Sequence, residues 1–200
     1  ANGAMTVGIS VDNSTFWNYI LSTSNNTLPM NTWTHIALVF TGSAHVLYVN
    51  GISKASSAST KTLFPSVFNQ FVIGTTNSVN SNFWDGYIDD LRISNVARYL
   101  TTFTPPASAF TRDIFTILLN NFNGSSGSTS LSLTEVSSNV GVSYTNVGNA
   151  SLSTSRAKIS ASSLRFLAAS GQYVTLSGLG TTPSAWTIEF WMQPITLTAS

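Results

Sequence analysis

The stretch Phe83 to Pro106, FWDGYIDDLRISNVARYLTTFTPP, gathers three aspartates, two arginines and five aromatic rings in a chain of which only 8% is charged. Clustered carboxylates are the oxygen ligands a hard cation takes, which makes Asp85, Asp89 and Asp90 a candidate calcium site. Adjacent residues on a regular strand point to opposite faces, so Asp89 and Asp90 reach one ion only if a β-bulge turns one of them. Ile88, Leu91 and Ile93 break strict alternation here, as a bulge would. The competing reading is a structural clasp built from Asp89, Asp90, Arg92 and Arg98. In it the two acids accept hydrogen bonds from a neighbouring loop or pair with the arginines, because a guanidinium matches a carboxylate and a buried acid needs a partner. The clasp is the expectation; no cofactor is required, and calcium is possible.

Glu189 is the next acid with chemistry in reach. A retaining glycosidase needs two carboxylates roughly 5 Å apart, and the same-face strand neighbours of Glu189 are Thr187 and Trp191. His35 and His45 have neither metal-type spacing to acids nor a nucleophile elbow beside them. No catalytic residue is assigned. Sugar rings stack on exposed aromatics while amides hold their hydroxyls, so Trp17, Tyr19, Trp84 and Trp191, with Asn18 and Asn82, are the candidate carbohydrate contacts. The bland alternative is that these rings fill the core.

The elements that must position these residues are short strands. HIALVF, HVLYVNG, QFVIG, YIDDLRIS, SLRFL, YVTLSG and WTIEFWMQ are rich in β-branched and aromatic residues and are separated by Ser, Asn, Gly and Thr clusters. In THIALVF, Ile36, Leu38 and Phe40 share one face and His35, Ala37 and Val39 the other. In WTIEFWM, Trp186, Ile188, Phe190 and Met192 face the core and Thr187, Glu189 and Trp191 face out. Asn50-Gly51 predicts a type I′ hairpin turn. The only helical candidate is a short turn after SNVARYL, stopped by Pro105 and Pro106. The pattern predicts an all-β fold, an antiparallel two-sheet sandwich of jelly-roll type.

Composition narrows the function. A net charge of +1 with no basic run lacks the electrostatic footprint of a nucleic-acid binder. Zero cysteines exclude disulfides, thiolate metal sites and a cysteine nucleophile. No apolar run approaches the ~20 residues of a membrane span, so membrane insertion is not expected. A surface carried by Ser, Thr, Asn and Gly suits secreted, fibrous or virion proteins. The chain opens without methionine on what reads as mid-strand, and a fragment or processed product is expected.

NTWTHIALVF, then LYVNG, FVIG, GYIDDLRISNVARY and FTPP together resemble the second half of a LamG-like, concanavalin A-like lectin/glucanase jelly roll. Residues 117 to 192, with ILLNNFNG, SLRFLAASGQYVTLSG and WTIEFWMQP, resemble the first half of the same family. The halves therefore stand in reversed order. Residues 1–112 read as the C-terminal half of a sandwich and 113–200 as the N-terminal half, either of the next tandem copy or of the same domain permuted. The resemblance implies a concanavalin A-like sandwich, calcium in some relatives, and catalytic acids along one strand in the glucanases. The expected role is a non-enzymatic structural or adhesive repeat of an extracellular or virion surface fibre. A glycan-binding lectin is the alternative and an atypical glycoside hydrolase the weaker one. The expected partners are neighbouring copies of itself, in a tandem repeat, homo-oligomer or filament, and glycans.

Overall fold

A computed structural model describes residues 2–9, 19–60, 70–75, 82–131, 135–136, 142–180 and 183–196. The first half of the chain carries β1 (Asn2–Gly3), β2 (Thr6–Ile9), β3 (Tyr19–Ser22), β4 (Leu28–Pro29), β5 (Thr34–Phe40), β6 (Ala44–Val49), β7 (Ile52–Ala58), β8 (Gln70–Ile73) and β9 (Gly86–Ser94). The second carries β10 (Thr116–Asn120), β11 (Glu135–Val136), β12 (Ser143–Val147), β13 (Ser151–Ser153), β14 (Ser163–Phe166), β15 (Tyr173–Ser177) and β16 (Trp186–Pro194). Every ladder between them is antiparallel. Among the described residues the one helical turn is a short 3-10 segment, Ala168–Ser170.

One large sheet runs β11-β10-β9-β16-β5-β6-β7, with β14 also pairing β9 and β13 pairing β14. The two halves of the chain are thus joined within a single sheet: β16 lies between β5 and β9 and pairs along both. Facing it are the three-stranded sheet β12-β15-β8 and the pairs β2-β3 and β1-β4. Strand alternation decides what fills the space between. Ile88, Leu91, Ile93, Leu118 and Leu164 of the large sheet meet Ile73, Val174 and Leu176 of the smaller one. Ile36, Leu47, Val49 and Met192 meet Ile9, Leu21 and Leu28.

The Asn50-Gly51 turn has φ of 49° and 77° at its two central residues, and Val49 opposes Ile52 across it, as a type I′ turn requires. The bulge in β9 is present too. Arg92 opposes Glu189 and Asp89 opposes Trp191, so two residues of β9, Asp90 and Leu91, face Phe190 alone. Asp90 takes a φ of 54°, which a short polar side chain tolerates better than most. That extra residue returns Leu91 and Ile93 to the inner face.

The sequence reading assigned Thr187, Glu189 and Trp191 to an outward, solvent-facing side, and the structure corrects this. Residues 95–113 cross the back of the large sheet as a strap and form a third layer, in which Ala97, Tyr99 and Phe103 pack on Ala37, Val39 and Tyr48. Thr187 and Glu189 are fully buried beneath it. The helical turn expected after SNVARYL is absent, because the strap's backbone bonds to the sheet. Arg98 N donates to Thr187 Oγ1 at 2.9 Å and Phe103 N to the Gly51 carbonyl at 3.0 Å.

Candidate functional site

Two places hold the residues singled out above: the back of the large sheet under the strap, and a cleft at the edge of the inner core. Under the strap, β16 and β9 set Glu189 against Arg92. Glu189 Oε1 accepts from Arg92 Nε at 2.8 Å and Nη2 at 2.7 Å, a two-pronged contact, while Tyr99 OH donates to Oε2 at 2.6 Å. His35 Nε2 is 3.5 Å from Oε2 and Arg98 Nε 3.8 Å from Oε1. Burial alone would raise this carboxyl, but His35, Arg92 and Tyr99 together hold it below the ordinary glutamate range. Burial and the adjacent carboxylate push the Tyr99 phenol well up. A carboxylate held ionised against arginine cannot deliver a proton to a leaving group. This geometry does structural work.

Asp89 and Asp90 are also fully buried. Asp89 Oδ2 accepts from Lys158 N at 2.8 Å and Ile159 N at 3.2 Å. Asp90 Oδ2 accepts from Phe110 N at 2.7 Å, and its Oδ1 takes the Asn121 amide. The first acid therefore anchors the 158–159 loop and the second the strap. Asp85 bonds elsewhere: its Oδ1 is 2.7 Å from Arg165 Nη1, and Thr196 Oγ1 donates to its Oδ2 at 2.8 Å. The aspartates receive N–H and O–H donors rather than converging oxygens. Among the described residues no group of three or more His, Cys, Asp or Glu is placed to hold a metal ion. The sequence reading offered the arginines as partners of Asp89 and Asp90, but they turn to other acids. Arg92 takes Glu189, and Arg98 makes a bidentate pair with Asp113 at 2.8 and 2.9 Å while Nε donates to Ser94 Oγ.

Burial pushes Asp89 and Asp90 up to about 6, the proximity of Asp89 adding to the shift at Asp90. Both acids hold their protons to higher pH in the folded chain than in the unfolded one, so their contribution to stability grows as pH falls from about 6 toward 4. Glu189 and Asp113, both held below the usual range, keep their contribution until the pH drops below about 4. His45 works in the opposite direction: burial keeps it neutral in the folded chain, so stability is lost as the unfolded imidazole takes up its proton below about 6.5. Against that loss, Asp89 and Asp90 are expected to add about 1–3 kcal/mol of stability at pH 5 relative to pH 7. Asp90→Asn should lower that gain in a melting series between pH 4 and 7; an unchanged gain would sink the assignment.

The candidate carbohydrate contacts separate. Trp17 lies outside the described residues, and Tyr19 is placed only as the first residue of β3. Trp191 is buried at 6% exposure, with the His35 ring 5.1 Å from its own and Lys158 Nζ 4.4 Å above it. It faces the loop and strap instead of offering a sugar platform, because the bulge and the third layer close that face. Trp84 is placed differently. It is half-buried, packs against both inner core clusters and lines a cleft of about 460 Å³ with Phe71, Asn82, Phe83, Asp85 and Thr196. Asn82 is exposed, Phe83 stacks on Tyr173, and Trp84 N donates to the Gly74 carbonyl at 2.7 Å, fixing the wall to the end of β8. The indole N–H of Trp84 has no protein partner among the described residues. Sequence reasoning missed Phe71 and Phe83 here, and His35, Asp113 and the 158–159 loop under the strap.

An all-β, antiparallel sandwich is consistent with a concanavalin A-like fold. The profile of the concanavalin A-like lectin/glucanases superfamily matches residues 1–101, and the chain belongs to that superfamily. No curated protein and no solved structure matches it. Domains of this type fit carbohydrate-binding or adhesive modules and are typically extracellular. No helix among the described residues is long and apolar enough to cross a membrane.

Proposed function

We propose that this chain is a non-enzymatic adhesive module of an extracellular surface assembly, contacting glycans through the cleft beside Trp84. The cleft carries the reading. Its volume of about 460 Å³ suits one or two sugar rings, Trp84 and Phe83 line it with aromatic rings, and Asn82, Asp85 and Thr196 add an amide, a carboxylate and a hydroxyl to the same lining. The non-enzymatic part rests on Glu189, whose charge is matched by Arg92. A Ser/Thr/Asn surface with little charge suits a fibre or virion appendage, the setting in which such a module would work.

The test is a glycan array probed with the wild-type chain and Asn82→Gly. Asn82 has a φ of 54°, so glycine removes the amide without straining the backbone. Binding of the preferred glycan is expected to weaken about tenfold, the worth of one lost hydrogen bond to a hydroxyl, with the melting temperature unchanged. Equal binding by both proteins would move the site away from the cleft. No binding by either would favour a purely structural repeat.

A further inference from the structure

β16 comes from the second half of the chain, yet it occupies the middle of a sheet whose flanking strands, β5 and β9, both belong to the first half. It opposes β5 from Trp186 against Phe40 to Met192 against Thr34, and β9 from Thr187 against Ser94 to Pro194 against Gly86. Without β16 the large sheet would separate into β5-β6-β7 and the group around β9. Two strand edges would then face each other across a gap one strand wide, each with unpaired N–H and C=O groups. The superfamily match ends at residue 101, short of the strand that closes this gap.

The gap is selective. Its inner side needs apolar residues at the positions of Phe190 and Met192, which pack into the inner core. Its back needs an acid opposite Arg92, whose side chain is only 11% exposed and is paired with Glu189. A strand with apolar residues on one face and a carboxylate on the other at the matching register satisfies both demands, and β16 of any copy of this chain is such a strand. β15 belongs to the opposite sheet, and the chain leaves it through Gly178 and Gly180, at φ of 80° and 83°, followed by Pro183. Glycines in this region accept an outward course as readily as the inward one.

We propose that β16 is an exchangeable strand, filling the β5–β9 gap of a second copy as well as that of its own chain, so that copies join by strand exchange. This does not depend on whether the Trp84 cleft binds sugar, and its test reads no glycan.

The absence of cysteine makes that test clean. Leu38 and Ile188 are register partners across β5 and β16. The doubly substituted L38C/I188C chain, refolded and oxidised, is expected to close an internal disulfide, visible as faster migration on a non-reducing gel. The single variants L38C and I188C, unfolded, mixed at high concentration and refolded together, are expected to give a covalent heterodimer. Its yield should fall roughly tenfold on tenfold dilution, as mass action requires, and neither single variant alone should give a dimer. A mixture that stays monomeric at every concentration while the double variant closes internally would overturn the proposal. A double variant that fails to close would overturn it as well, since the gap would not have the register assigned.

Discussion

Glu189→Gln should lower stability by about 3 kcal/mol, seen as a drop of roughly 6–12 °C in the melting temperature of the full chain. The side chain is fully buried and neutralises Arg92 while accepting from Tyr99 and lying 3.5 Å from His35. Glutamine keeps the shape but removes the charge. It leaves a guanidinium on a largely water-free face with no compensating acid, and breaking one side of a buried pair costs far more than the pair itself contributes. The companion variant is Glu189→Gln with Arg92→Met, which removes both charges and should recover a good part of the loss. If the single variant melts within a degree or two of wild type, the network under the strap is not what holds the two halves together. If the double variant is as unstable as the sum of the two single ones, the coupling assigned to this pair is absent.

The second large effect is expected at the tip of the β6–β7 hairpin. Gly51 has a φ of 77°, and a Cβ placed on it would lie 1.8 Å from the carbonyl oxygen of Phe103 in the strap. Two demands meet at one residue: a left-handed backbone and space for another chain segment to pass. Gly51→Ala violates both. It should cost about 3 kcal/mol or more, the backbone strain accounting for roughly 1 kcal/mol of that. Chemical denaturation should show the loss as a lower midpoint with an unchanged slope. Gly51→Asn separates the causes, because asparagine tolerates the left-handed region but still carries a Cβ. Asparagine and alanine should be nearly equal in their damage. A wild-type-like Gly51→Asn protein would mean that the strap does not dock on this turn.

Both effects belong to the same device. The strap is tied at Arg98 to Thr187 and Ser94, at Tyr99 to Glu189, at Phe103 to Gly51 and at Phe110 to Asp90. It therefore bridges β9, β16 and the β6–β7 hairpin, strands drawn from both halves of the chain. The acids and arginines from Asp89 to Arg98, with Tyr99, are engaged in closing the sandwich, while Phe83, Trp84 and Asp85 just before them line the cleft proposed as the ligand contact.

What the sequence by itself determined is local. Alternation of apolar residues identified the strands and the inner faces of β5 and β16. Asn50-Gly51 specified its turn, because positive φ at two successive residues suits few residue pairs. The broken alternation of Ile88, Leu91 and Ile93 revealed the bulge at Asp90, because an extra residue must appear wherever the period of two slips. Motif order pointed to the concanavalin A-like fold. Only the tertiary structure decided the partners. Arg92 and Glu189 are 97 residues apart, Asp89 and Ile159 70, and Tyr99 and Glu189 90, and no local pattern carries such distances. The burial of Glu189 and Trp191 was missed for the same reason. Alternation tells which residues share a side of a strand, but a third layer that buries the second side comes from a distant segment. Residues 95–113, where the sequence predicted a short helical turn stopped by Pro105 and Pro106, acquire their role only when β16 enters between β5 and β9 and gives them a sheet to cover.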